Sequence, residues 1–79
     1  MSDPMLEALE TRIKEALPGA AVEVEAGSAG HYSLKVASKA FEGESMLAQQ
    51  RLVYRAIAPL MAGEQAPVHA IDTLVTRVP

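Results

Sequence analysis

Few side chains in this sequence can do chemistry. There are two histidines, His31 and His69, and no cysteine. A neutral imidazole binds iron or zinc well when its other nitrogen is held by a hydrogen bond, so both histidines are candidate metal ligands. Two imidazoles do not fill a tetrahedral or cluster site, and without a thiolate any iron or zinc needs ligands from a partner. The plainer reading of His69, in phase with Ile71, Thr73 and Val75, is a rim residue partly packed against the core. For His31 it is a half-exposed residue that opens a strand. A nucleophile and base would have to pair a histidine with a scattered serine or threonine, and no serine sits in a G-x-S-x-G elbow. Glu42 and Glu44 flank Gly43 in an exposed turn, and Glu23 and Glu25 point outward from a strand, so neither pair suits acid–base work. The expectation is a protein that is not an enzyme.

A second chemistry is contact with nucleic acid. Arg51 and Arg55 lie one turn apart on a helix, with Lys35, Lys39 and Arg77 as further cations, and a helix with such a face can enter a major groove. Against it stand ten acidic residues to seven basic ones and a net charge of −3, which disfavour broad phosphate neutralisation. No run of exposed aromatics offers a stacking platform. Gly27-x-x-Gly30 spells the G-x-x-G of a KH domain, but that motif clamps nucleotides from between two helices. Here it joins two strands and holds no lysine or arginine, so it reads as a turn.

These residues need elements to position them. Asp3-Pro4 starts a helix, since aspartate caps free amides and proline at the first helical position loses no needed donor. Leu6, Leu9, Ile13 and Leu17 form its stripe, Glu10 and Lys14 pair on its solvent face, and Pro18-Gly19 stops it. Val22–Glu25 alternates apolar and acidic residues, and Tyr32, Leu34 and Val36 alternate with His31, Ser33 and Lys35, so two strands pair as a hairpin across residues 26 to 30. A loop bearing Phe41 leads to a helix from Ser45 to Met61. Its stripe is Met46, Val53, Ile57 and Leu60, widened by Leu47, Tyr54 and Met61. Pro59 predicts a kink or a short final turn. Val68–Val75 is a third strand, and a strand–helix–strand succession favours laying it parallel to the second. The expected class is α+β: one α-β-β-α-β domain over residues 1–79, a three-stranded mixed sheet with both helices on one face and one open sheet edge for docking.

A chain of 79 residues buries only about 60 to 65% of its unfolded surface, enough for one modest core. The first residues, Met-Ser-Asp-Pro-Met-Leu-Glu, have neither the basic region nor the apolar run of a signal peptide, and no stretch approaches a membrane span. The expected compartment is the cytoplasm.

Taken together, Gly30-His31-Tyr32, Val36-x-Ser38-x-x-Phe41-Glu42-Gly43, Gln50-Arg51-Leu52-Val53-Tyr54 and Val68-His69-Ala70-Ile71 resemble the BolA family over nearly the whole chain. The resemblance implies an α-β-β-α-β fold related to class II KH domains. It also implies partnership with a monothiol glutaredoxin, with a [2Fe–2S] cluster bridged between glutaredoxin cysteine, glutathione and a histidine of the BolA-like protein, in iron–sulfur trafficking or in iron and stress regulation. His69 matches the family histidine of the I/V-H-A pattern and takes the ligand role. Mixed histidine–cysteine ligation is known chemistry for such clusters. Many members carry a second ligand in the loop between the first two strands, where residues 26 to 30 offer none. His31 matches the histidine that opens the second strand and is the second candidate. The other implied function is transcriptional regulation of stress response and morphology, with Arg51, Arg55 and Lys39 against DNA, although the common R-H-R here reads Gln49-Gln50-Arg51. The short loop and the glutamines are similar to the bacterial branch associated with acid stress. Alone, the chain is expected to be a monomer or weak homodimer.

Overall fold

The computed structural model describes residues 3–79. Helix α1 spans Pro4–Ala16 and begins as its sequence requires: Asp3 is extended and its Oδ1 accepts the Met5 N–H at 2.8 Å, with Pro4 at the first helical position. Leu9, Ile13 and Leu17 turn inward and are buried, while Glu10 and Lys14 pair on the wet side at 3.7 Å. Beyond it run strand β1 (Ala21–Ala26), strand β2 (His31–Ala37), one 3-10 turn (Lys39–Phe41), helix α2 (Met46–Met61) and strand β3 (Ala70–Arg77). The expected α-β-β-α-β order is the observed one.

Strand β2 pairs antiparallel with β1 and parallel with β3, so the sheet is mixed, in the order β1-β2-β3. Tyr32, Leu34 and Val36 alternate onto one face, where they are buried with Leu9 and Ile13 of α1 and Val53 and Ile57 of α2. Both helices therefore cover one face, and the other is open. Phe41, read from the sequence as a loop residue, is 0% exposed within this core. Ser38 makes that burial possible, its hydroxyl accepting the Ala40 N–H at 3.1 Å to start the 3-10 turn. Pro59 falls in the final turn of α2, which runs only to Met61. Among the described residues no helix is long and apolar enough to cross a membrane.

The structure corrects the sequence reading in four places. The stripe of α2 is narrower than its hydrophobicity suggests: Met46, Leu47 and Tyr54 are 57%, 56% and 39% exposed, and Val53 and Ile57 do the covering. Two helices share a face only three strands wide, so neither can bury a broad stripe. The third strand begins at Ala70 rather than Val68, because Val68 is a fully buried plug whose N–H bonds the Leu60 carbonyl at 3.1 Å. Its phase also changes. Tyr32 stands opposite Ile71 but Ser33 opposite Thr73, leaving Asp72 as a bulge without a cross-strand partner. From there Leu74 and Thr76 face the core while Thr73 and Val75 face out. Finally, β2 is paired on both sides, so β1 and β3 are both edges where the sequence reading leaves one open edge.

Candidate functional site

The two histidines sit at one end of the sheet, where β2 and β3 both begin. Residues 27 to 30 form the turn ahead of β2: the Gly27 N–H bonds the His31 carbonyl at 2.8 Å and the His31 N–H bonds the Ser28 carbonyl at 2.9 Å. Gly30 closes the turn at φ +78°, a left-handed value that favours glycine. Its carbonyl accepts two N–H groups from the other strand, His69 at 2.7 Å and Ala70 at 3.1 Å. The chain before β3 is thereby tied to the chain before β2.

His69 is exposed, and its ring lies against Gly30. A Cβ built on Gly30 would stand 2.8 Å from His69 Cγ, closer than real Cβ contacts come, and a tight 3.0 Å from Nδ1. Glycine at position 30 is therefore the condition for the ring's seat. This differs from a rim residue packed against the core, because the strand starts one residue later and His69 precedes its pleat.

His31 is half-buried at the start of β2, and its Nδ1 lies 2.9 Å from Asp72 Oδ1. The bulge at Asp72 brings that carboxylate round to the ring. Tyr32, the next residue, anchors this end of the sheet by donating its hydroxyl to Asp3 Oδ2 at 2.5 Å. That bond from Tyr32, then the Met5 N–H, holds the Asp3 carboxyl below the usual carboxylate range. It pushes the Tyr32 phenol up to about 12, burial adding to the effect. One aspartate thus caps α1 and pins the residue after His31.

Arg51 and Arg55 are exposed on α2, and Lys39 is exposed on the 3-10 turn. Gln49, of the Gln49-Gln50-Arg51 run, reaches across to the sheet. Its Oε1 accepts the hydroxyl of buried Thr76 at 2.8 Å and its Nε2 donates to the Glu44 carbonyl at 2.9 Å, joining α2 to β3 and to the loop before the helix. Sequence reasoning read Gly30 only as part of a turn and a motif, and it missed Asp72 and the bridging role of Gln49. Asp72 leaves a local signal, an aspartate in the middle of an apolar strand, where that residue is disfavoured.

Among the described residues no three His, Cys, Asp or Glu side chains come together as a metal-ligand set. A surface depression of about 540 Å³, the concave setting in which small molecules bind, runs over Val22, Glu23, Ser33, Lys35 and Thr73, and neither histidine lines it.

Fold and site together define a small α-β-β-α-β domain with a mixed sheet and a displayed histidine ahead of its third strand. The family model for BolA-like proteins matches residues 6–77, and the chain belongs to that family. BolA-like protein 1 of Homo sapiens is 36% identical over 77 residues, a match covering 86% of this chain and 54% of the human protein. BolA-like protein 1 of Mus musculus is 35% identical with the same coverage, so the chain spans about half the length of the curated relatives it matches. Among solved structures, a BolA protein homologue from Coxiella burnetii is 29% identical with a TM-score of 0.76, covering 100% of this chain and 94% of that one. The BolA domain of SufE1 from Arabidopsis thaliana has a TM-score of 0.79 at 20% identity, covering 100% of this chain and 96% of that one; it shares the fold.

Proposed function

We propose that this protein is a non-enzymatic cytoplasmic adaptor that binds a monothiol glutaredoxin and lends His69 to a [2Fe–2S] cluster shared with the glutaredoxin cysteine and glutathione. Its role would lie in iron–sulfur trafficking or in iron and stress regulation. The observation that carries this reading is the exposed His69 ring, seated on Gly30 in a chain without cysteine. A cluster, when bound, supplies iron positions that accept imidazole nitrogen beside thiolate sulfur. This chain's own part is to hold one such nitrogen at the surface and to leave the thiolate positions to its partner. Co-purification with a monothiol glutaredoxin, followed by visible absorption and circular dichroism, tests it: the cluster bands should change in His69→Ala. An unchanged spectrum would remove the ligand role.

A second reading, a DNA-binding regulator, is favoured by one observation: α2 holds Arg51 and Arg55, both exposed, and no acidic residue between Met46 and Met61. Phosphate contacts release counterions, so DNA affinity would have to fall as salt rises and flatten when the two arginines become alanine. Binding indifferent to both would exclude it.

A further inference from the structure

We propose that Met46 is a site of oxidation by peroxide, its sulfur held by the Thr76 hydroxyl so that oxygen is added from the water side and one sulfoxide epimer prevails. Met5 and Met61 pack against the core, while Met46, the first residue of α2, is 57% exposed. An exposed thioether is open to peroxide, since sulfur and oxidant must touch. The side chain is nonetheless anchored. Its Sδ accepts from Thr76 Oγ1 at 3.3 Å, and Thr76 is buried on β3. A thioether sulfur is a weak acceptor with two lone pairs, and here the two are not equivalent. One meets a buried hydroxyl, and the other is left to solvent.

In the step, the free lone pair attacks one oxygen of hydrogen peroxide, and the S–O bond forms as the O–O bond breaks. The departing hydroxide takes the proton of the transferred oxygen and leaves as water. Sulfur loses two electrons and the peroxide gains them. Because the hydroxyl covers one lone pair, the oxygen arrives on the other and the new stereocentre forms in one hand. The oxidised sulfur carries partial positive charge and accepts poorly, so the single Thr76 proton passes to Gln49 Oε1, already 2.8 Å away. Gln49 Nε2 still donates to the Glu44 carbonyl at 2.9 Å, so α2 stays tied to β3 and to the loop before the helix. The change is confined to the surface, where an exposed apolar side chain next to exposed Leu47 becomes polar. This chemistry needs neither histidine and stands apart from the cluster reading.

Hydrogen peroxide added to the folded full chain, followed by proteolysis and mass spectrometry of the peptides, reads the sulfoxide at each methionine. Met46 should oxidise ahead of Met5 and Met61. Treating the peptides with each of the two stereospecific methionine sulfoxide reductases, with dithiothreitol as reductant, then reads the epimers, because each enzyme removes one of them. One reductase should clear most of the Met46 sulfoxide and the other little, whereas chain oxidised in urea should yield the epimers in nearly equal amounts. Thr76→Val should move the folded ratio towards equality, and Thr76→Ser, which keeps the hydroxyl, should preserve the excess. Circular dichroism of both variants before oxidation shows that the ratios come from folded protein. Equal epimers from the folded wild type, an excess indifferent to Thr76→Val, or oxidation of Met5 or Met61 ahead of Met46 would each overturn the inference.

Discussion

His69 owes its place to a residue with no side chain. Gly30 holds φ +78° and lets the imidazole ring come within what would be 2.8 Å of a Cβ. Gly30→Ala should therefore cost about 1–2 kcal/mol from the left-handed backbone alone and displace the ring as well. A lower urea midpoint together with shifted His69 ring resonances is the expected result. The motif singled out His69 as a candidate, but the ring's seat was not legible, because the contact joins residues far apart in the chain. The bond between Tyr32 and Asp3 gives this end of the sheet a pH signature. Asp3 is lowered from 3.8, so its contribution is present above that value and is lost as pH falls. Tyr32 is raised from 10.0 to about 12, so its contribution is present below 10.0 and is lost as pH rises through about 12. Tyr32→Phe should lower stability by about 1 kcal/mol at neutral pH. Urea midpoints measured across pH should show both limbs flatten in that variant.

The helices and strands were legible where one rule of periodicity acted alone. Asp3-Pro4 and Pro18-Gly19 bracket α1, and alternation in Val22–Glu25 and in His31–Val36 gives the hairpin, because capping and pleating are local. Strand β3 defeated the same rule: one bulged residue, Asp72, inverts the alternation and sends Val75 outward. Helix α2 defeated it differently, since hydrophobicity marks Leu47 and Tyr54 as apolar but cannot say how wide a face the sheet offers. Leu47→Ala and Tyr54→Ala should each change stability by no more than about 0.5 kcal/mol, as exposed substitutions do. Gln49→Ala should cost more, about 1 kcal/mol, because buried Thr76 then keeps only the Met46 sulfur at 3.3 Å as acceptor. Chemical denaturation of the three variants side by side checks that ranking.

The molecule as a whole has one core and small reserves. A domain of 79 residues is worth about 4–12 kcal/mol, and truncating a fully buried phenylalanine costs about 3–5 kcal/mol. Phe41→Ala should accordingly populate the unfolded state heavily at room temperature, seen as a shallow or missing thermal transition by circular dichroism. The order of elements and the mixed sheet could be read from the sequence since a three-stranded sheet with a helical crossover leaves few alternatives. The proposed use of the surface could be read only as far as the candidate His69, because a site completed by another molecule would leave part of its donors outside this sequence. The glutaredoxin co-purification is the decisive measurement. The wild-type pair with glutathione should show the visible absorption and circular dichroism of a bound [2Fe–2S] cluster, and His69→Ala should alter or abolish those bands in a protein that still folds. Identical cluster spectra from wild type and His69→Ala would contradict the account.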